Sequence, residues 1–229
     1  MRSRRVIKRK KKSRRLKRRI FLFMVLVVLC FAGIIHVGNL LREQAVGVQP
    51  SGKTVKIEEM PEYVSKAFVA VEDERYYYHF GVDPVGLARA IRADMEAGGF
   101  VQGGSTITMQ AARNIYLSHD KTIMRKVKEM IIAINLEWYY SKEEILEMYM
   151  NHIYFGSGNY GIEAAANEYF GKTTTKNNSS REVLTPQEAA VLAGMVKAPE
   201  YYANNPEKAE KRGEVVYKKM DKLGYLPTE

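Results

Sequence analysis

Three stretches of this chain of 229 residues carry side chains able to do chemistry. The first, Glu72-Asp73-Glu74-Arg75-Tyr76-Tyr77-Tyr78-His79-Phe80-Gly81, follows directly on the apolar run Ala67 to Val71. Acids and a histidine at the end of a buried segment, among aromatics, stand where burial raises a carboxylate pKa toward that of a working base. The same residues would equally form a solvated helix end with a capping histidine. The second stretch is Gly103-Gly104-Ser105-Thr106-Ile107-Thr108-Met109-Gln110, with Arg113 and Asn114 one turn on. Glycines allow close backbone approach, and hydroxyls, an amide and a guanidinium suit a phosphate or a sugar; a generic capped helix start explains the pattern as well. In the third, Arg125-Lys126-Val127-Lys128-Glu129, Arg125 and Glu129 share a helix face at i,i+4, the spacing of an ordinary surface ion pair.

Helical signals dominate the elements that must position these groups. Asp83 before Pro84 reads as an N-cap with a first-turn proline, and Gly98-Gly99 stops that helix. Ser141 with Glu144, and Thr185 with Pro186 and Glu188, read as capping boxes. Ile123, Val127, Met130, Ile131, Ile134 and Leu136 recur at helical spacing between about 122 and 139. No segment alternates as a strand, so the fold class is mainly α. Residues 98–107 and 173–180 read as loops. The histidines at 36, 79, 119 and 152 are scattered, without metal-ligand spacing.

The formal charge of +10 is unevenly distributed. Thirteen of the 36 basic residues fall between Arg2 and Arg19, where there is no acid, leaving 23 against 26 acidic residues in the remainder. Such a distribution argues against nucleic acid as a partner. Ile20 to Leu41 is an uncharged apolar stretch of 22 residues, enough to span a bilayer as a helix and longer than a signal-peptide core. The domains expected are a basic cytoplasmic tail (1–19), one transmembrane helix (20–41), a linker (42–60) and an external domain (61–229), the tail lying inside by the positive-inside rule. The lone Cys30 lies within the span, so disulfides contribute nothing. Gly47 to Thr54 matches the spacing of a nucleotide-binding P-loop, but it follows a span rather than a buried strand, and no helix is expected after it.

Taken together and in order, these pieces resemble the peptidoglycan glycosyltransferase family, found as monofunctional transglycosylases and as the first module of class A penicillin-binding proteins. The resemblance covers about Lys66 to Met220. E-D-x-x-F-x-x-H-x-G is matched by Glu72, Asp73, His79 and Gly81, with Tyr76 for Phe; G-G-S-T-I-T-Q-Q runs from Gly103 to Gln110, with Met109 for the first Gln. R-K-x-x-E is matched by Arg125, Lys126 and Glu129, and S-K-x-x-I-L-E-x-Y-L-N by Ser141 to Asn151, with Met150 for Leu. Leu192 to Pro199 and Asn205 to Arg212 are similar as well. Arg113 stands where the family usually has Lys, and retains a permanent charge.

The resemblance implies a lysozyme-like helical glycosyltransferase domain behind a single membrane helix. It implies polymerisation of lipid II and a growing lipid-linked glycan on the outer face of a bacterial cytoplasmic membrane. Glu72 falls in the place of the general base, and Glu129 in that of a second carboxylate near the leaving group. Arg113, Lys121, Arg125 and Lys126 would meet the phosphates, with Asp73, His79, Gly104, Ser105, Thr106, Gln110 and Asn114 completing the substrate site. No cofactor is required in the family, although a divalent cation (Mg or Mn) can assist phosphate binding, and no protein metal site is expected. Moenomycin-type inhibitors are expected to bind, and cell-wall synthesis proteins are conceivable partners. Loss of the Met109 amide is expected to bear on ligand affinity. The transpeptidase motifs S-x-x-K, S-x-N and K-T-G are not found in series, so β-lactam binding is not expected. A lysozyme-type lytic enzyme or a non-catalytic scaffold for wall synthesis are the competing readings.

Overall fold

The computed structural model describes residues 2–43, 49–99, 103–118, 120 and 122–227. Lys121, His119, Gly47 and residues 100–102 of the glycine-rich loop lie outside the described residues. Regular structure is helical throughout: α1 (Arg2–Glu43), α2 (Glu62–Glu72), α3 (Pro84–Ala97), α4 (Ile107–Tyr116), α5 (Ile123–Tyr139), α6 (Lys142–His152), α7 (Ile162–Phe170), α8 (Pro186–Met195), α9 (Pro199–Ala203) and α10 (Pro206–Lys222). Among the described residues β pairing is limited to isolated bridges such as Thr173 with Val183.

The helices start where side chains can serve the orphan N–H groups of a first turn. Asp83 accepts from Val85 N at 3.1 Å, Pro84 opens α3, and Gly98 closes it in the left-handed region at φ 64°. Ser141 and Thr185 form reciprocal capping boxes with Glu144 and Glu188. Thr106 and Thr122 cap α4 and α5 in the same way, accepting from Met109 N and Arg125 N.

The core forms where α2, α6, α8 and α10 turn apolar faces inward. Val64, Ala67, Phe68, Val69 and Ala70 of α2 are buried, and the Phe68 ring meets the edges of Tyr149 and Phe155 at centroid distances of 6.3 and 6.1 Å. Against them lies α8, whose short side chains Ala189, Ala190, Ala193 and Gly194 let α10 approach closely. Removing Phe68 to Ala would cost about 3–5 kcal/mol.

Two features depart from the sequence reading. The first is at residues 49–60, expected as a linker, which pack on the domain: Val55 and Met60 are each 1% exposed. Their backbone is irregular and is satisfied by side chains, which is why no periodicity marks them. Val55 exchanges two 3.0 Å hydrogen bonds with the Asn151 amide, and Ile57 N donates to Glu147 at 2.9 Å. The second concerns α1, which continues without a break from the basic run through the apolar stretch. Its segment Arg19–Glu43 is long and apolar enough to cross a membrane. Residues 20–30 are exposed all round, whereas Phe31, Ile34, Ile35, Gly38 and Arg42 form one covered stripe that packs on α5.

Gly81 fixes how the first chemical stretch meets the second. Its φ is +77°, a Cβ there would lie 2.7–2.9 Å from the backbone of Ala133 and Ile134, and its carbonyl accepts from Thr106 Oγ1 at 2.6 Å. Gly81→Ala is therefore expected to destabilise the domain by about 3 kcal/mol or more, through left-handed strain and displacement of α5. Thermal unfolding would register this as a clear drop in Tm, whereas Gly98→Ala, which meets no neighbour, should lose only the cost of the left-handed conformation.

Candidate active site

The last residue of α2 is Glu72. The chain turns sharply at Asp73 (φ −156°, ψ 75°), so the two adjacent carboxyls point to different environments. Glu72 is partly buried in the wall of a cleft of about 670 Å³, where the Gln110 amide donates to its Oε2 at 2.8 Å. Burial raises its pKa above the ordinary carboxylate value, while the Gln110 hydrogen bond and the charges of Arg212 and Arg113 pull it back only in part.

Asp73 turns inward instead. Its Oδ2 lies 2.9 Å from His79 Nε2 and accepts from Ile107 N at 3.0 Å, and both side chains are at most 5% exposed. The carboxylate therefore joins the first chemical stretch to the N-terminus of α4. Thr106 is also buried and spent on structure, donating to Gly81 O while capping α4. Tyr76 is fully buried, and its hydroxyl donates to Lys142 O at 2.6 Å, which gives the phenol a partner in the core. Met109 is 2% exposed and does not line the cleft. An amide lost at this position is lost from a buried position of α4 outside the cleft lining.

The cleft lining brings together Glu72, Gly104, Ser105, Gln110 and Arg113 from the sequence-derived set, with the edges of Asp73 and Thr106. Asn114 stands beside Arg113 and accepts from its Nε at 3.4 Å, outside the lining. The third stretch forms its own cluster on the first turns of α5. Glu129 is 0% exposed and accepts from Arg125 Nη1 and, at 2.8 Å, from Lys126 Nζ. Lys126 also donates to Ser105 Oγ at 2.6 Å, so the buried ion group reaches the cleft through that serine. Arg125 additionally donates from Nε to Asp120 O.

Several cationic side chains on the cleft went unmarked as site residues: Arg75, Arg89, Lys197, Arg212 and Lys219. Arg212 is the most telling, since its charge acts on Glu72 and its Nε is buried without a partner. The only signal for it in the sequence is its place at the end of the similar stretch from Asn205. The fourth motif, by contrast, is structural: Ser141 and Glu144 cap α6, while Glu147 and Asn151 pin residues 55–57. Among the described residues no three His, Cys, Asp or Glu side chains gather to hold a metal ion.

This geometry agrees with comparisons to known proteins. Residues 38–221 match the family model described as Transglycosylase. The chain is 49% identical over 174 residues to penicillin-binding protein 1F of Bacillus subtilis, covering 75% of this chain and 23% of that protein. It is 37% identical over 222 residues to a monofunctional glycosyltransferase of Staphylococcus haemolyticus, covering 95% and 82%. A monofunctional glycosyltransferase of Staphylococcus aureus is 40% identical over 181 residues, covering 78% and 67%. The chain thus spans about a quarter of the length of such a penicillin-binding relative and most of the monofunctional ones. It belongs to the transglycosylase family.

The raised pKa of Glu72 has a consequence for stability. A carboxyl whose folded pKa exceeds its unfolded value contributes fully below the unfolded pKa, and that contribution is lost as pH rises through the folded one. Glu72→Gln removes this loss. The variant is expected to unfold at a higher temperature than the parent at pH 7 and at nearly the same temperature near pH ~4, as scanning calorimetry would show.

Proposed function

We propose that this chain is a membrane-anchored peptidoglycan glycosyltransferase that polymerises lipid II into β-1,4-linked glycan with release of polyprenyl pyrophosphate. The observation that carries the reading is a partly buried carboxylate of raised pKa set into a cleft walled by guanidinium and ammonium groups. A base is needed at the attacking hydroxyl and positive charge at the departing pyrophosphate, and the cleft offers both.

Glu72 takes the proton of the acceptor sugar hydroxyl as that oxygen bonds to the donor C1. The C1–O bond to pyrophosphate breaks on the opposite face, and the electron pair leaves with the phosphate. A single displacement inverts an α-linked donor to a β-linked product. Gln110 holds the base in position, and its hydrogen bond offsets part of the rise that burial imposes on the carboxyl. Arg113 and Arg212 supply charge beside it, Lys126 does so through the Ser105 edge, and Arg125 shares Glu129 with Lys126. Glu129 is the second essential carboxylate, keeping those two cations poised at the leaving-group side. Lys121 belongs with them by sequence alone. Asp73, His79 and Thr106 act by holding α4 against α2, while Gly104, Ser105 and Asn114 face or flank the sugar-pyrophosphate. A divalent cation, where one assists, would enter on the pyrophosphate oxygens.

The run of basic residues ahead of the apolar helix supports an orientation with the basic arm inside and the domain on the outer face. Met124, Val127 and Trp138 of α5 expose apolar side chains along one face beside α1, as a domain resting on lipid requires. A tethered enzyme and a tethered substrate then share one surface, which raises their effective concentration. Moenomycin-type compounds, which resemble the lipid-linked donor, should compete for the cleft.

Incubation of the protein with labelled lipid II, with products resolved by size, tests the reading. The parent is expected to give polymer and Glu72→Gln to lose about 10²–10⁴-fold in rate; shortening of preformed glycan instead would establish the lytic chemistry. Gln110→Ala removes a hydrogen bond to the charged form of Glu72, so its pKa should rise further. The acid limb of the pH–rate profile should then move to higher pH, and an unmoved limb would remove Glu72 as the titrating base.

A further inference from the structure

Among the described residues, every hydrogen bond made by the Asn135 side chain of α5 ends on α1. Its Nδ2 donates to Ile35 O and to Asn39 Oδ1, both at 2.9 Å, and its Oδ1 accepts from Arg42 Nη1 at 3.0 Å. Asn135 is 0% exposed, and Gly38 leaves the room for it: a Cβ at 38 would stand 2.5 Å from the Asn135 Cβ and 2.8 Å from its Nδ2. Around this centre Asn39 donates to Tyr139 OH at 3.2 Å and Arg42 to Tyr140 OH at 2.7 Å. The Arg42 guanidinium stands 5.7, 5.8 and 5.1 Å from the ring centres of Tyr116, Tyr139 and Tyr140. Phe31 meets Trp138 edge to face at 5.2 Å.

These contacts fall on α5, whose Lys126 reaches the cleft edge through Ser105, and on the end of α4, which furnishes Gln110 and Arg113 to the cleft lining. Asn135 follows Lys126 and Glu129 on α5, and Tyr116 ends α4 behind Gln110 and Arg113. On a regular helix Ile35 to Asn39 lie about 5–10 Å from Arg42 toward the span. Asn135 is enclosed between the two helices, so its amide has its partners on α1 or none.

We infer that Asn135, seated on Gly38 and joined to Asn39 and Arg42, is a latch that locks the cleft at one height and orientation above the bilayer. It is a positioning residue for substrate presented in the membrane. The inference rests on the glycosyltransferase reading. A polyprenol-tethered pyrophosphate has its own height fixed by the lipid surface, so a domain swinging on a loose tether would meet it in the reactive geometry only part of the time. A short-chain substrate free in solution carries no such constraint.

The full chain and its Asn135→Ala and Gly38→Ala variants would be assayed in two settings. One is long-chain lipid II embedded in phosphatidylglycerol and phosphatidylethanolamine vesicles; the other is a short-chain, water-dispersed lipid II with the enzyme in detergent. Each variant is expected to lose about tenfold or more in the vesicles, with shorter glycan products, while its rate on the short-chain substrate stays at the parent's value. Tyr140→Phe, which removes one hydrogen bond at the edge of the latch, should show a smaller loss of the same kind. Equal losses in both settings would reduce Asn135 to a stability residue, and undiminished activity in vesicles would overturn the latch. A parent inactive on both substrates would overturn the glycosyltransferase reading itself.

Discussion

The cleft depends on one buried carboxylate. Asp73 sits at the end of α2, binds His79 across the intervening turn, and accepts the Ile107 N–H at the start of α4. A negative charge at a helix N-terminus is favoured by the aligned peptide dipoles as well as by the hydrogen bond. With the Thr106 cap this carboxylate fixes where α4 begins against α2, and so where Gln110 meets Glu72. Two adjacent acids thus divide the work: the inward one fixes a helix, and the outward one is left partly dehydrated in the cleft wall.

The same division recurs through the site. Thr106 and Tyr76 spend their hydroxyls on backbone carbonyls, and Glu147 and Asn151 spend a carboxylate and an amide on the strap at residues 55–57. Glu72 and Gln110 remain facing the cleft with a set of cations, of which Arg75 is paired with Asp83 and Lys219 with Glu74. Glu129 belongs to neither group alone, because it is wholly buried yet holds Lys126 against Ser105 at the cleft edge. A buried anion with two cationic partners keeps both of them where a departing phosphate would meet them, at the expense of mobility each would otherwise have.

Much of the fold is legible locally. Asp83, Ser141 and Thr185 announce their helices because a cap is written within four residues of chain. Glu72, Gln110, Arg113 and Lys126 could be named from residue type and order, and the structure gathers them in or beside the cleft. Asp73 and His79 show the limit of such reading. An acid and a histidine look alike whether they bind a ligand or each other, and only the turn between them decides. Arg212 was silent for a different reason: it reaches Glu72 because α10 packs against α8 at Gly194, a contact between segments that no local pattern records. Residues 49–60 were silent because side-chain amides, rather than periodic backbone bonds, hold them.

The unbroken course of α1 has a mechanical consequence. Forty-two residues of continuous helix make a rod about 63 Å long, whose C-terminal third is keyed into the domain at α5. A rod keyed at one end carries rotation as well as position. Turning the basic arm about the helix axis therefore turns the cleft by the same angle.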